Sequence, residues 1–383
     1  ILDSADKIPQ VTRRGAWLYD LWRDAAHPRG LWRRTTLDSY RTDEPEWDVL
    51  IDIDALAALD DINWVWAGAD VIEPDLTLAL ISLSRGGADA TEVREFDLRT
   101  RRFVEDGFNL PEAKTSITWE GADSVLVGTD FGPGSLTDSG YPRIVKRWRR
   151  GQALAEATTL FEGSASDVSV GAGYDPTPGY ERLFISRSTD FFNREYYELR
   201  GDQPVRVEVP TDAGISAHRE WLLIRPRTDW QVGSTLHPAG SLLAAKYDEF
   251  LTGTAELTVV FEPDAHTSLE SFSWTRDRLI LLTLADVASR LEITTPGSWH
   301  REPVAGIPPN TNAVIVDVDN DAHAEVIVSE NPYTGSTCSA AGDHGVRCFA
   351  DGDATRIDLS DLEDGLAVDL VESLFGKSTL MRE

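Results

Sequence analysis

The sequence predicts an all-β fold, a seven-bladed β-propeller with a short C-terminal helix. Short apolar runs rich in Val, Ile, Leu, Trp and Tyr recur along the chain, separated by clusters of Gly, Pro, Asp and Asn. That is the pattern of many short strands joined by turns. Above it runs a slower rhythm: an aromatic-bearing strand, a turn, a second apolar strand and a charged strand return every ~45–50 residues, the size of a four-stranded blade. Helical periodicity is confined to the C-terminal stretch. Repeated blades make one domain out of many small sheets, so 383 residues need not mean two or three domains.

The repeats divide the chain at 12–58, 59–105, 106–159, 160–208, 209–253, 254–304 and 305–352, which places the propeller at 1–352 and a helical tail at 353–383. In the first repeat the runs are Gly15-Ala-Trp-Leu-Tyr and Trp32-Arg-Arg-Thr-Thr-Leu. The second is the clearest, with Asn63-Trp-Val-Trp66-Ala-Gly, an apolar strand over 78–83, a Gly-rich turn at 84–89 and a strand over 91–98. Thr91-Glu-Val-Arg-Glu-Phe-Asp-Leu98 alternates apolar and polar residues, as expected of an outer strand with one wet face. Later strands are read at Arg182-Leu-Phe-Ile-Ser, Leu222-Leu-Ile-Arg, Ser241-Leu-Leu-Ala-Ala, Leu257-Thr-Val-Val-Phe and Leu279-Ile-Leu-Leu-Thr-Leu. In the tail, Leu362, Leu366, Val368, Leu370, Val371 and Leu374 follow helical spacing, with Ser360 and Glu363 placed as a capping box.

Composition narrows the function classes. A net charge of −29 argues against nucleic acid, whose phosphates reward clustered Lys and Arg. It suits a self-repelling surface, or attraction of cationic peptides or calcium. No apolar run reaches the ~18 residues of a membrane span. The compartment stays open between cytoplasmic and periplasmic or secreted, because the sequence begins at Ile1 and a targeting signal could precede it. Trp17, Trp22, Trp32, Trp64, Trp66, Trp119 and Trp148 suit either inter-blade core or a tunnel lined by Trp and Arg, so no peptide-binding residue is assigned.

The longest motif runs from Trp119 to Arg150, with Trp-Glu-Gly-Ala-Asp-Ser-Val-Leu-Val-Gly-Thr-Asp-Phe-Gly followed by Leu136-Thr-Asp-Ser-Gly-Tyr-Pro-Arg143-Ile-Val-Lys-Arg-Trp148-Arg-Arg. With Trp17-Leu-Tyr-Asp-Leu-Trp22, Glu44-Pro-Glu-Trp47-Asp-Val-Leu, Arg94-Glu-Phe-Asp-Leu and Gly107-Phe-Asn-Leu-Pro-Glu-Ala-Lys114, it resembles the N-terminal propeller of bacterial prolyl oligopeptidase-family serine peptidases over about residues 1–303. In that family the propeller sits over an α/β-hydrolase domain and admits short peptides to a Ser-Asp-His triad. The resemblance therefore implies a substrate gate whose partners are short peptides or a hydrolase domain.

The chemistry itself is missing from this chain. A nucleophile elbow needs small residues on both sides of its Ser so that a strained turn can expose the hydroxyl. No Gly-x-Ser-x-Gly occurs; Gly132-Pro-Gly-Ser-Leu and Gly335-Ser-Thr-Cys-Ser do not fit, and no His-Glu-x-x-His pair exists. No residue is assigned a catalytic role. A stand-alone peptide- or protein-binding propeller and a calcium-stabilised interaction module are the alternative readings.

The second of these comes from another resemblance. Asn312-Ala-Val-Ile-Val-Asp317-Val-Asp319-Asn-Asp321-Ala-His-Ala-Glu325-Val-Ile-Val is similar to the calcium loop of FG-GAP-type repeats. It implies a structural calcium held by the carboxylates of Asp317, Asp319, Asp321 and Glu325 and the backbone carbonyl of His323, with strands over 313–316 and 326–328 gripping the loop. Ala322 stands where that pattern has Gly, at a cost of about 1 kcal/mol if the position needs positive φ. The two cysteines, Cys338 and Cys348, flank a Gly-containing segment and suit a hairpin disulfide or two free thiols.

Overall fold

The computed structural model describes residues 9 and 11–304 except 43, 202, 276 and 287, and beyond them the backbone of 312–316, 325–329, 337–340, 346–350 and 353–357. Antiparallel sheets follow one another along the chain at 12–52, 64–113, 116–162, 169–207, 214–261 and 267–303. Most are meanders whose strands lie side by side in chain order. The sheet at 64–113 adds a fifth strand, Leu110–Ala113, beside Thr91–Asp97. In the sheet at 214–261 the order skips a small hairpin, Trp230–Val232 with Thr235–His237. This succession of small meanders is that of a β-propeller.

The chain divides into two compact units: Ile1–Leu50 with His237–Leu242 and Val259–Glu383, and Ile51–Leu236 with Leu243–Thr258. In the second unit the core lies between successive sheets. Strand Ser124–Gly128 shows why its sequence is nearly all apolar. Val125 and Val127 pack with Leu80, Val93, Phe108, Trp119 and Trp148, while Leu126 packs on the opposite side with Val145, Val170 and Ile185. Side chains alternate across a strand, so a strand covered on both faces needs apolar residues at every position. Farther on, Val207, Leu222, Ile224, Leu243 and Tyr247 form the next layer. In the first unit, Val11, Leu18 and Tyr40 make a separate small cluster with Trp47.

Two expectations change here. Thr91–Asp97 lies inside its sheet, and its Glu95, on the same face as the buried Val93, is only 1% exposed. Its carboxylate accepts the Phe108 N–H at 2.7 Å and pairs with Arg150 at 3.0 Å, while Arg150 lies 4.6 Å over the Phe108 ring. The alternation marked a strand; what the Glu95 carboxylate meets was set by Arg150, far away in sequence. Among the described residues, α-helices occur where none was expected, at Leu37–Tyr40, Ile53–Asp60 and Tyr247–Leu251. Ile53–Asp60 is capped by Asp52, which accepts the Ala55 N–H at 2.9 Å, and it ends at Asp61 with φ 55°. At eight residues it is too short to leave a visible helical period.

Trp64, Trp119, Trp148 and Trp32 are buried. The Trp119 indole donates to the Asp70 carbonyl at 2.9 Å, bolting one sheet to the next. Arginine stacking occurs as well, with Arg33 3.9 Å over the Trp47 ring and Arg34 4.2 Å over Trp17.

Candidate functional site

Neighbouring strands of a meander run in opposite directions, so the turns between second and third strands emerge at the same end as the crossings to the next sheet. In the second unit this end carries the central part of the Trp119 to Arg150 motif. Residues 129–143 form a long loop between Ser124–Gly128 and Ile144–Arg149. The chain enters at Gly128, where a Cβ would lie 2.8 Å from the Pro142 Cβ, so the two arms of the loop close tightly. Arg143 then ties the loop to its surroundings. It donates to the Gly134 carbonyl through Nε at 3.1 Å, to Glu162 at 2.7 Å and to the Gly163 carbonyl at 2.8 Å.

Ser135 of Gly132-Pro-Gly-Ser-Leu is 4% exposed; its hydroxyl donates to the Gly132 carbonyl at 2.7 Å and accepts the Phe131 N–H at 2.8 Å. These bonds hold Ser135 within the turn. The tip of the loop reaches both neighbouring sheets. The Tyr141 hydroxyl donates to Asp89 at 3.0 Å, Lys114 donates to the Ser139 carbonyl at 3.1 Å, and its ammonium lies 3.9 Å over the Tyr141 ring. On the other side the Asp138 N–H meets the Ala165 carbonyl at 2.8 Å and the Thr137 hydroxyl meets the Val168 carbonyl at 3.1 Å.

The adjoining crossing is held by a forked ion pair. Arg187 donates to Asp167 at 2.7 and 3.0 Å, Ser164 adds its N–H at 2.6 Å, and the Asp167 side chain is 4% exposed. Burial raises the cost of ionising Asp167, but the Arg187 and Ser164 hydrogen bonds outweigh it and hold the carboxyl below its ordinary range. Next comes a feature that sequence reading missed. In Asp190-Phe-Phe-Asn193 the Asp190 carboxylate accepts the N–H groups of Phe192 and Asn193, both at 2.8 Å, and the Thr211 hydroxyl braces Asn193 at 2.7 Å. This fixed turn leaves Phe191 89% and Phe192 74% exposed. Its signal is an apolar pair between Asp and Asn in a turn, where side-chain caps of the backbone are common.

Chemically, this end offers a braced loop, paired charges and two wet phenyl rings. Among the described residues no group of three or more His, Cys, Asp and Glu side chains is placed to hold a metal. Asp317, Asp319, Asp321 and His323 lie outside the described residues, as does the helix expected in the tail from 358 onward, while Ile357 ends a strand. Glu325 opens strand Glu325–Ser329, which pairs with Asn312–Val316 so that Val316 faces Glu325. Cys338 and Cys348 fall on paired strands, Thr337–Ala340 and Val346–Ala350. Strand Asp353–Ile357 joins the same sheet, across the domain boundary suggested at 352/353.

Known proteins place this arrangement. The family model for the prolyl oligopeptidase N-terminal beta-propeller domain matches residues 2–325. An uncharacterized peptidase, y4nA, of Sinorhizobium fredii is 34% identical over 89% of this chain and 49% of its own length. A second, RP174 of Rickettsia prowazekii, is 30% identical over 86% of this chain and 48% of its own. A solved post-proline cleaving enzyme from Rickettsia typhi superposes with TM-score 0.80 at 26% identity, over 93% of this chain and 53% of that one. Oligopeptidase B from Leishmania major shares the fold, with TM-score 0.63 at 15% identity over 92% of this chain and 48% of that one. The chain spans about half the length of the curated relatives it matches. With sheet meanders, inter-sheet cores and a family match over most of its length, the chain belongs to the prolyl oligopeptidase N-terminal β-propeller family.

Proposed function

We propose that this chain is the substrate-gating propeller of a prolyl oligopeptidase-type serine peptidase, non-catalytic in itself, with the triad carried by an α/β-hydrolase domain. One observation supports this most: the chain aligns with only about half of peptidases related to it, and its 383 residues contain no Gly-x-Ser-x-Gly elbow. The loop at 129–143 and the Phe191 turn are the elements we assign to the gate's rim, braced as they are by Arg143 and Asp190. The purified chain is expected to take no label from a fluorophosphonate serine probe and to cleave no proline-containing peptide. The complete product of its gene is expected to be labelled at one serine. Labelling of the chain itself would end the non-catalytic reading. A gene product without a reactive serine would leave a free-standing binding propeller.

A second reading concerns calcium. The backbone pairing of Asn312–Val316 with Glu325–Ser329 makes a hairpin whose connection holds Asp317, Asp319, Asp321 and His323 in sequence. We assign those carboxylates, Glu325 and the His323 carbonyl to one structural calcium, since a hard cation takes oxygen ligands of this kind. At a hundredfold excess over Kd, calcium should add about 3 kcal/mol to the stability of the folded state. Asp319→Ala should remove that gain; identical melts in calcium and in chelator would dismiss the site.

A further inference from the structure

We propose that Cys338 and Cys348 form an intrachain disulfide that clamps the hairpin following the calcium-type loop. The sequence alone left a disulfide and two free thiols open, because spacing says nothing about distance. The backbone register supplies what was missing. Thr337–Ala340 and Val346–Ala350 pair antiparallel with Thr337 opposite Phe349, Cys338 opposite Cys348, Ser339 opposite Arg347 and Ala340 opposite Val346. The two cysteines are therefore direct cross-strand partners.

Directly opposed residues in an antiparallel pair have Cα atoms about 4.5 or 5.5 Å apart, depending on whether they exchange hydrogen bonds. A disulfide takes Cα separations of roughly 4.4–6.8 Å, so both kinds of pair satisfy it. Opposed residues also share one face of the pleat. A slip of one residue would put the cysteines on opposite faces and forbid the bond. With only two cysteines in the chain, no other intrachain pairing exists.

A hairpin of four- and five-residue strands has a use for such a clamp. Short two-stranded ribbons are marginal in water, and cross-linking their ends removes open conformations from the unfolded ensemble. Val346–Ala350 also pairs with Asp353–Ile357, placing Cys348 opposite Thr355, so the bond anchors the middle strand of three. The oxidant is an external disulfide, of the glutathione or thiol-oxidoreductase class. One cysteine thiolate attacks it and expels a thiolate; the second thiolate then displaces the other half. Two electrons and two protons leave with the two released thiols, and one S–S bond is exchanged for another.

The test is thiol counting by mass on the full chain, equilibrated with oxidised glutathione and alkylated in denaturant. The expected result is a monomer that takes up no alkyl group before reduction and two after it, with a linked peptide containing Cys338 and Cys348 in the non-reducing digest. Two adducts without reduction, glutathione adducts left on both cysteines, or a linked dimer would each overturn the proposal. Stability supplies a second readout. Reducing the wild-type chain should lower its melting temperature, and Cys338→Ser with Cys348→Ser should show the same lower value, now insensitive to reductant. A melting temperature that reductant leaves unmoved would mean that no clamp exists, and this reading needs only the wild-type protein.

Discussion

At Gly107 the absence of one methyl group is a packing requirement. A Cβ there would lie 2.7 Å from Glu95 Oε2 and 2.8 Å from the Glu95 Cβ. The Glu95 carboxylate cannot easily retreat, because it already serves the Phe108 N–H and Arg150 at 1% exposure. Gly107→Ala is therefore expected to cost about 1–3 kcal/mol through overpacking, read as a lower melting temperature with an unchanged circular dichroism spectrum. An unchanged melt would show that Glu95 can move and that its latch to Arg150 is dispensable. Residue chemistry at this scale was only half legible. Glu95 looked like a solvent-facing residue, and Phe191 and Phe192 drew no notice, although the first is buried and the other two are exposed. Hydrophobicity ranks residues; it does not say which partner a chain bend will deliver.

Elements were easier to read than the residues on them. The expected strand over 78–83 is Leu78–Arg85, and that over 91–98 is Thr91–Asp97, because period-two patterning and turn residues act within a few positions. The helix Ile53–Asp60 escaped because it is short and rests on its Asp52 cap. The loop at 129–143 was visible as a motif, yet its bracing was not, since Asp89 comes from the preceding sheet, Glu162 from the last strand of its own, and Ala165 and Val168 from the crossing beyond it. The crossing beside it makes a sharper test. Arg187→Ala strips Asp167 of its forked partner in a buried site and should cost about 3 kcal/mol at neutral pH. The Asp167 pKa is depressed in the folded state, so the pair's contribution is fully present above the ordinary carboxylate value of 3.8 and is lost as pH falls below it through the folded value. Denaturation curves of the wild-type chain and the variant should accordingly converge in acid. A gap that stayed constant down to low pH would assign the loss to packing rather than to charge.

Over the whole chain, a net charge of −29 coexists, in the second unit, with part-buried cations paired to carboxylates, such as Arg147 to Glu120 at 2.6 Å and Arg94 to Asp60 at 2.8 Å. The excess negative charge therefore comes from carboxylates beyond these pairs. By itself the sequence determined the class: a succession of short strands, several of them apolar at nearly every position, specifies small sheets covered on both faces, and the Trp119 to Arg150 wording specifies the family. Those signals are local, carried by residues a few positions apart. Which polar groups are buried, which aromatics stay wet and which cysteine faces which were decided only by tertiary structure. Each depends on the register between strands and on what the adjacent sheet presents, and both are set by contacts between residues distant along the chain.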